Sequence, residues 1–169
     1  MNVCTGDETG LLKHWAGQDV TILGSSDQSR ENGIISMDRY SDSSIVSILR
    51  KNGVLEKWNF PKNSTPKHLS TVSLPTMDQL MGITSYNDEV RIIYNSQGHI
   101  TLESDGQITH ASTIQGPLSV LQPLHGGYAA AGRENDVKFY DMETQQLQWS
   151  AKNVPNDFLR YAIIFIHHF

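Results

Sequence analysis

Only one of the 169 residues is a cysteine, Cys4. An internal disulfide framework is therefore excluded, and a reducing compartment is the simplest expectation. The first eight residues contain no basic stretch followed by an apolar run, so they do not read as a signal peptide. The longest apolar run, residues 161–166, is far shorter than the roughly 20 residues that a membrane-spanning helix needs, so no membrane partner is expected. Positive charge is scarce: the formal net charge is −5, which argues against bulk attraction to nucleic acid. No segment keeps a helical period over three turns.

Catalytic signatures are missing too. No nucleophile, histidine and acid stand at a spacing that suggests a triad. Gly127 to Glu134 echoes a phosphate loop, but Gly132 is followed by Arg133 and Glu134, where that loop needs Lys and then Ser or Thr. His167 and His168 have no acidic or cysteine partner at ligand spacing, and neighbours on a strand point to opposite faces. Asp7 and Glu8 sit in a turn. Cys4 has no activating neighbour and reads as an inert packing residue. No catalytic residue, cofactor, metal or small-molecule substrate is expected.

What the chain does contain is a phrase that returns. Thr9-Gly10-Leu11-Leu12-Lys13-His14-Trp15 reappears as Asn52-Gly53-Val54-Leu55-Glu56-Lys57-Trp58. A weaker copy runs from Gln97-Gly98-His99 to Glu103, and another from Glu134-Asn135-Asp136 to Asp141. With Gly10, Gly53, Gly98 and Asn135 as equivalents, the intervals are 43, 45 and 37 residues. A tight turn feeding a strand that ends in an aromatic, at this period, is the pattern of β-propeller blades. The expectation is an all-β, incomplete propeller over residues 1–160, of just under four four-stranded blades near 1–24, 33–74, 80–113 and 118–151. The first blade lacks its innermost strand. A complete seven-bladed ring would need about 280 to 315 residues. Residues 161–169 are atypically apolar. They read as a non-native tail rather than a fifth blade, because the repeat grammar stops there, and exposed they would favour aggregation.

Trp15, Trp58 and Tyr140 hold equivalent strand ends and are expected to fill the wedges between blades. Arg50, Lys51, Lys57, Lys62 and Lys67 set five cations against Glu56 over 18 residues, a candidate phosphate-facing basic edge. Two polar clusters flank strong strands: Arg133-Glu134-Asn135-Asp136, and Ala151 through Asp157. Loops on a rigid scaffold often carry recognition.

The stretch from Ala130 to Asp141, with Ala151-Lys152-Asn153-Val154-Pro155-Asn156-Asp157 after it, resembles the WD repeat-containing protein 74 family of eukaryotic nucleolar factors for the large ribosomal subunit. The resemblance runs from about Val3 to Leu159. It implies a seven-bladed WD-repeat scaffold in the nucleus and nucleolus, working on pre-60S particle proteins and rRNA, with an AAA-type ATPase among its partners. It also implies that Arg133, Glu134, Asn135, Lys138, Lys152, Asn153 and Asp157 lie on or near the recognition surface. Two other readings compete. The rhythm from Val137 to Trp149 is shared by quinoprotein-type propeller enzymes, and a WD-repeat adaptor outside ribosome assembly would fit the same repeats.

Overall fold

The computed structural model describes residues 2–23, 30–62, 64–75, 78–113, 118–132, 136–152 and 154. The apolar segment 161–169 lies outside them. Among the described residues, fifteen strands and one short 3-10 turn, Arg30–Asn32, make up the regular structure. The first sheet has three strands: β1 (Asn2–Gly6), β2 (Leu12–Ala16) and β3 (Asp19–Leu23). The second has four: β4 (Ile34–Asp38), β5 (Ile45–Arg50), β6 (Val54–Asn59) and β7 (Lys67–Ser73). The third comprises β8 (Leu80–Ser85), β9 (Val90–Asn95), β10 (His99–Ser104) and β11 (Gln107–Thr113). The fourth comprises β12 (Leu118–Leu124), β13 (Gly127–Gly132), β14 (Val137–Asp141) and β15 (Leu147–Ala151). Each sheet is an antiparallel meander in chain order.

The repeated phrase owes its form to backbone chemistry. Gly10, Gly53 and Gly98 adopt φ of 86°, 79° and 90°, a region that side-chain-bearing residues rarely enter. A side-chain oxygen organises each of these turns. Asp7 Oδ1 accepts from the amides of Thr9 and Leu11, at 2.9 and 3.0 Å. Asn52 Oδ1 accepts from Val54, and Asn95 Oδ1 from Gln97 and His99. The Thr9 hydroxyl also donates to Asp7 Oδ1, at 2.7 Å, and with the amides of Leu11 and Thr9 it holds the Asp7 carboxyl below its usual range.

Successive sheets stack face to face, and the strand alternation shows it. On β5, Ile48 packs with Leu12, Leu23 and Trp58 towards sheet 1, while Leu49 packs with Leu55, Ile83 and Ile93 towards sheet 3. On β9, Ile93 joins that second cluster and Ile92 joins Ile100, Leu118, Leu121 and Tyr128 towards sheet 4. A sheet buried on both faces cannot show a polar side, so β5 and β9 read as nearly continuous apolar runs. The alanines of β13 follow the same rule: Ala130 faces sheet 3, and Ala129 and Ala131 face away from it. They lie on the second strand of their sheet.

The first strands converge. β4 lies beside β8 and β8 beside β12. All three carry a β-bulge at the same place, between Ile34 and Ser36, Leu80 and Gly82, and Leu118 and Val120. The extra residue turns positions three apart onto one face. Thus Ile34 and Met37 share a cluster, as do Leu80 and Ile83, and Leu118 and Leu121. Radial sheets meeting at their first strands constitute an incomplete propeller, as the repeat predicts.

Candidate functional site

Strand direction alternates, so the assembly has two ends. One carries the turns between second and third strands. The other carries the turns that follow the first strands, and here the three converging strands open a cleft of about 540 Å³. Asp38 and Tyr40 come from the end of β4, Ser85 and Tyr86 from the end of β8, and Gln122 and His125 from β12 and its turn. The amide of Ser85 donates to Asp38 Oδ2 at 2.5 Å, tying β4 to β8 at the cleft floor. The Ser85 hydroxyl is buried and finds no hydrogen-bond partner among the described residues. The cleft lining is mixed, with tyrosine on two sides and Pro123 and Leu124 beside the polar groups. Nothing in the local sequence signals it, except that Arg39-Tyr40 and Ser85-Tyr86 recur where first strands end.

Beneath the cleft lies a charged layer between sheets 2 and 3. Arg91 is fully buried; its Nε donates to Ser47 Oγ at 2.5 Å and Nη1 to the carbonyl of Asn87 at 2.7 Å. Burial pushes its guanidinium pKa down, and Glu103, Asp38 and Asp88 pull it back up. Lys57 Nζ stands 2.9 and 2.8 Å from the two carboxylate oxygens of fully buried Glu103. Glu103 Oε1 also accepts from the amide of Gly106.

A second brace joins sheets 1 and 2. Arg50 Nε donates to Glu56 Oε1 at 2.7 Å, and Nη1 to the carbonyls of Gly10 and Asn32, both at 2.9 Å. Burial alone would raise the Glu56 carboxyl; hydrogen bonds from Arg50 and Trp58, with the Arg50 charge, outweigh it and hold the pKa low.

These contacts correct the expectation of a basic edge. Arg50 and Lys57 are internal braces neutralised by Glu56 and Glu103. Lys51 lies in the turn after β5, while Lys62 and Lys67 lie between β6 and the body of β7, at the opposite end of the sheet. All three are exposed, but the five cations do not share a surface.

Of the predicted recognition residues, Arg133, Glu134, Asn135, Asn153 and Asp157 lie outside the described residues. Lys138 sits on β14, and Lys152 follows β15 directly. Val137 pairs with Ala151, so Asp136 and Lys152, which flank that pair, stand at the same end of sheet 4. That end is opposite the cleft.

The aromatic strand ends divide. Trp58 is 8% exposed within the cluster between sheets 1 and 2, and Tyr140 stacks on Tyr128 with ring centroids 5.5 Å apart. Trp15, by contrast, is 38% exposed, and its indole nitrogen donates to Thr5 Oγ1. The equivalent side chains face the preceding sheet, and sheet 1 has none before it among the described residues. Cys4 packs beside the cluster between sheets 1 and 2, and burial pushes its thiol up to about 11, so it is a poor nucleophile. Among the described residues no group of three or more His, Cys, Asp or Glu could hold a metal ion, and no helix is long and apolar enough to cross a membrane.

No protein-family profile matches this sequence, and no curated protein does. Solved structures do resemble it in fold. The RRP9 WD40 repeats superpose with a TM-score of 0.66 at 12% identity, over 89% of this chain and 46% of theirs. U3-55K gives 0.67 at 12% identity, with the same coverage. The computationally designed Ika8 protein gives 0.66 at 17% identity, again over 89% and 46%. The chain thus spans about half the length of each, and its architecture is that of part of a WD40-type propeller.

Proposed function

We propose that this chain is a non-enzymatic scaffold in large ribosomal subunit assembly and rRNA processing, acting in the nucleus and nucleolus. The observation that carries the reading is the β14–β15 register. Because Val137 stands opposite Ala151, it brings Asp136 and Lys152, one from each phrase that resembles the WD repeat-containing protein 74 family, to one end of one sheet. A rigid sheet that presents Asp136 and Lys152 at one end is suited to recognition by surface complementarity, with no covalent step. Lys138 and Lys152 supply positive charge at that end of a chain whose net charge is −5. The partners are pre-60S particle proteins and rRNA, with an AAA-type ATPase in the same assembly; neither a membrane nor a small-molecule substrate enters the reading.

Affinity purification of the tagged full chain from cells tests it. Pre-60S proteins are expected in the eluate, and the double variant Lys138→Glu, Lys152→Glu should recover them at least several-fold less well while keeping its far-ultraviolet strand signature. A soluble, folded bait that recovers none of them would overturn the proposal.

A further inference from the structure

The mouth of the cleft is acidic. It is built wholly from internal turns of sheets 2, 3 and 4, at residues 39–44, 86–89 and 125–126. With the last residue of β4, these turns carry Asp38, Asp42, Asp88 and Glu89 against one cation, Arg39. The other titratable side chain there is His125. Asp42, Asp88, Glu89 and Arg39 are exposed at the rim. Asp38 is half-buried at the floor, where its Oδ2 accepts from the Ser85 amide. Among the described residues Asp38 forms no ion pair. The Arg91 guanidinium below it donates to Ser47, Asn87 and Val90, and shares its charge among Glu103, Asp38 and Asp88.

A second observation marks the same place. Ser85 lines the cleft, is 3% exposed, and its hydroxyl finds no hydrogen-bond partner among the described residues. A buried hydroxyl left unpaired is costly, and a ligand group in the cleft would relieve it. The rest of the lining suits a group that is apolar along its length and charged at its tip. Tyr40, Tyr86, Pro123 and Leu124 offer surface to an aliphatic stem, and the two tyrosine rings attract a cation.

We infer that this cleft binds a basic, extended segment of a partner protein, with one long cationic side chain, Lys or Arg, inserted between Tyr40 and Tyr86. Its charged tip meets the Asp38 carboxylate and donates to the Ser85 hydroxyl. The exposed carboxylates at the rim hold further basic residues of the segment. Charge argues for an outside partner: the chain has 18 Asp and Glu against 13 Lys and Arg, and Arg50, Lys57 and Arg91 are already engaged as internal braces. The inference does not rest on the ribosomal reading, whose residues Lys138 and Lys152 stand at the opposite end.

The probe is the peptide acetyl-Ala-Gly-Arg-Gly-Ala-amide, titrated into the full chain and followed by amide NMR. Saturable shifts are expected at Tyr40, Ser85 and Tyr86. The same peptide with citrulline in place of arginine, equal in shape but uncharged, should bind at least tenfold more weakly. Ser85→Ala removes no bond of the free chain, so it should keep the parent stability while weakening the arginine peptide at least fivefold. Tyr40→Ala, at an exposed position, should weaken it several-fold. Absence of saturable shifts, or equal binding of the citrulline peptide, would overturn the inference. So would unchanged affinity in both variants, which would mean attraction to surface charge alone. Binding seen only in an Arg160→Ala chain would overturn it too, since the chain's own cation would then fill the cleft.

Discussion

The junction between sheets 2 and 3 and the junction between sheets 3 and 4 use the same repeat position for opposite ends. Where sheets 1, 2 and 4 carry Trp15, Trp58 and Tyr140, sheet 3 carries Glu103. At the 2–3 junction this carboxylate meets Lys57 in a buried layer that also contains Arg91 and Ser47. At the 3–4 junction Tyr140 stacks on Tyr128 above Ile92, Ile100 and Leu118. An apolar wedge tolerates small shifts; a buried ion pair with hydrogen-bonded neighbours does not. The charged junction therefore fixes how sheets 2 and 3 sit together, while the apolar one supplies area removed from water.

Breaking the charged junction should have the largest effect. Glu103→Gln leaves Lys57 without its counter-ion in a buried site, and chemical denaturation is expected to show a loss of about 3–5 kcal/mol. Replacing both partners with apolar residues, Lys57→Met with Glu103→Leu, should recover most of it; a double variant as unstable as the single one would refute the pairing argument. Ile92→Ala at the apolar junction should cost about 3 kcal/mol through lost contacts and the cavity left behind, with little salt dependence. Next come two glycines with positive φ. A Cβ at Gly10 would stand 2.6 Å from the Asn32 carbonyl oxygen and 2.9 Å from Arg50 Nη1, whereas one at Gly126 would meet nothing within 4 Å. Gly10→Ala should cost more than about 2 kcal/mol and Gly126→Ala only about 1 kcal/mol, the backbone strain alone.

Acid sharpens the comparison between the two braces. The Glu56 carboxyl is held below its ordinary 4.5, so its contribution is complete above that pH and is lost as pH falls through the lower folded value. Stability measured below pH 4.5 should fall less steeply in Glu56→Gln than in the parent chain. The smallest effect belongs to Trp15→Ser on the outward face of sheet 1: stability should change by no more than about 0.5 kcal/mol, with improved solubility seen by light scattering.

The hairpins were legible in the sequence because their cause is local. Asn52-Gly53 names its own turn, and the recurrence of glycine at Gly10 and Gly98 extends it. The three-strand first sheet was legible for the same reason, since the phrase begins one strand late. The braces were not. Lys57 and Glu103 are 46 residues apart, and a count of cations near Arg50 carries no information about a carboxylate in the next sheet. Trp15 and Trp58 look alike in sequence and differ in exposure because sheet 1 covers Trp58, whereas among the described residues no sheet covers Trp15. The cleft was invisible for a related reason: Asp38, Ser85 and Gln122 come from three different repeats, and only convergence of the first strands brings them together.

The chain's three tryptophans fall one each in sheets 1, 2 and 4. Trp15 is partly in water, Trp58 is buried with its indole nitrogen donating to Glu56, and Trp149 stacks on Phe139. Their emission colours should differ, so single-tryptophan variants can report which blade opens first on heating. Sheet 3, with none, stays spectroscopically silent, and a tryptophan introduced there would complete the set.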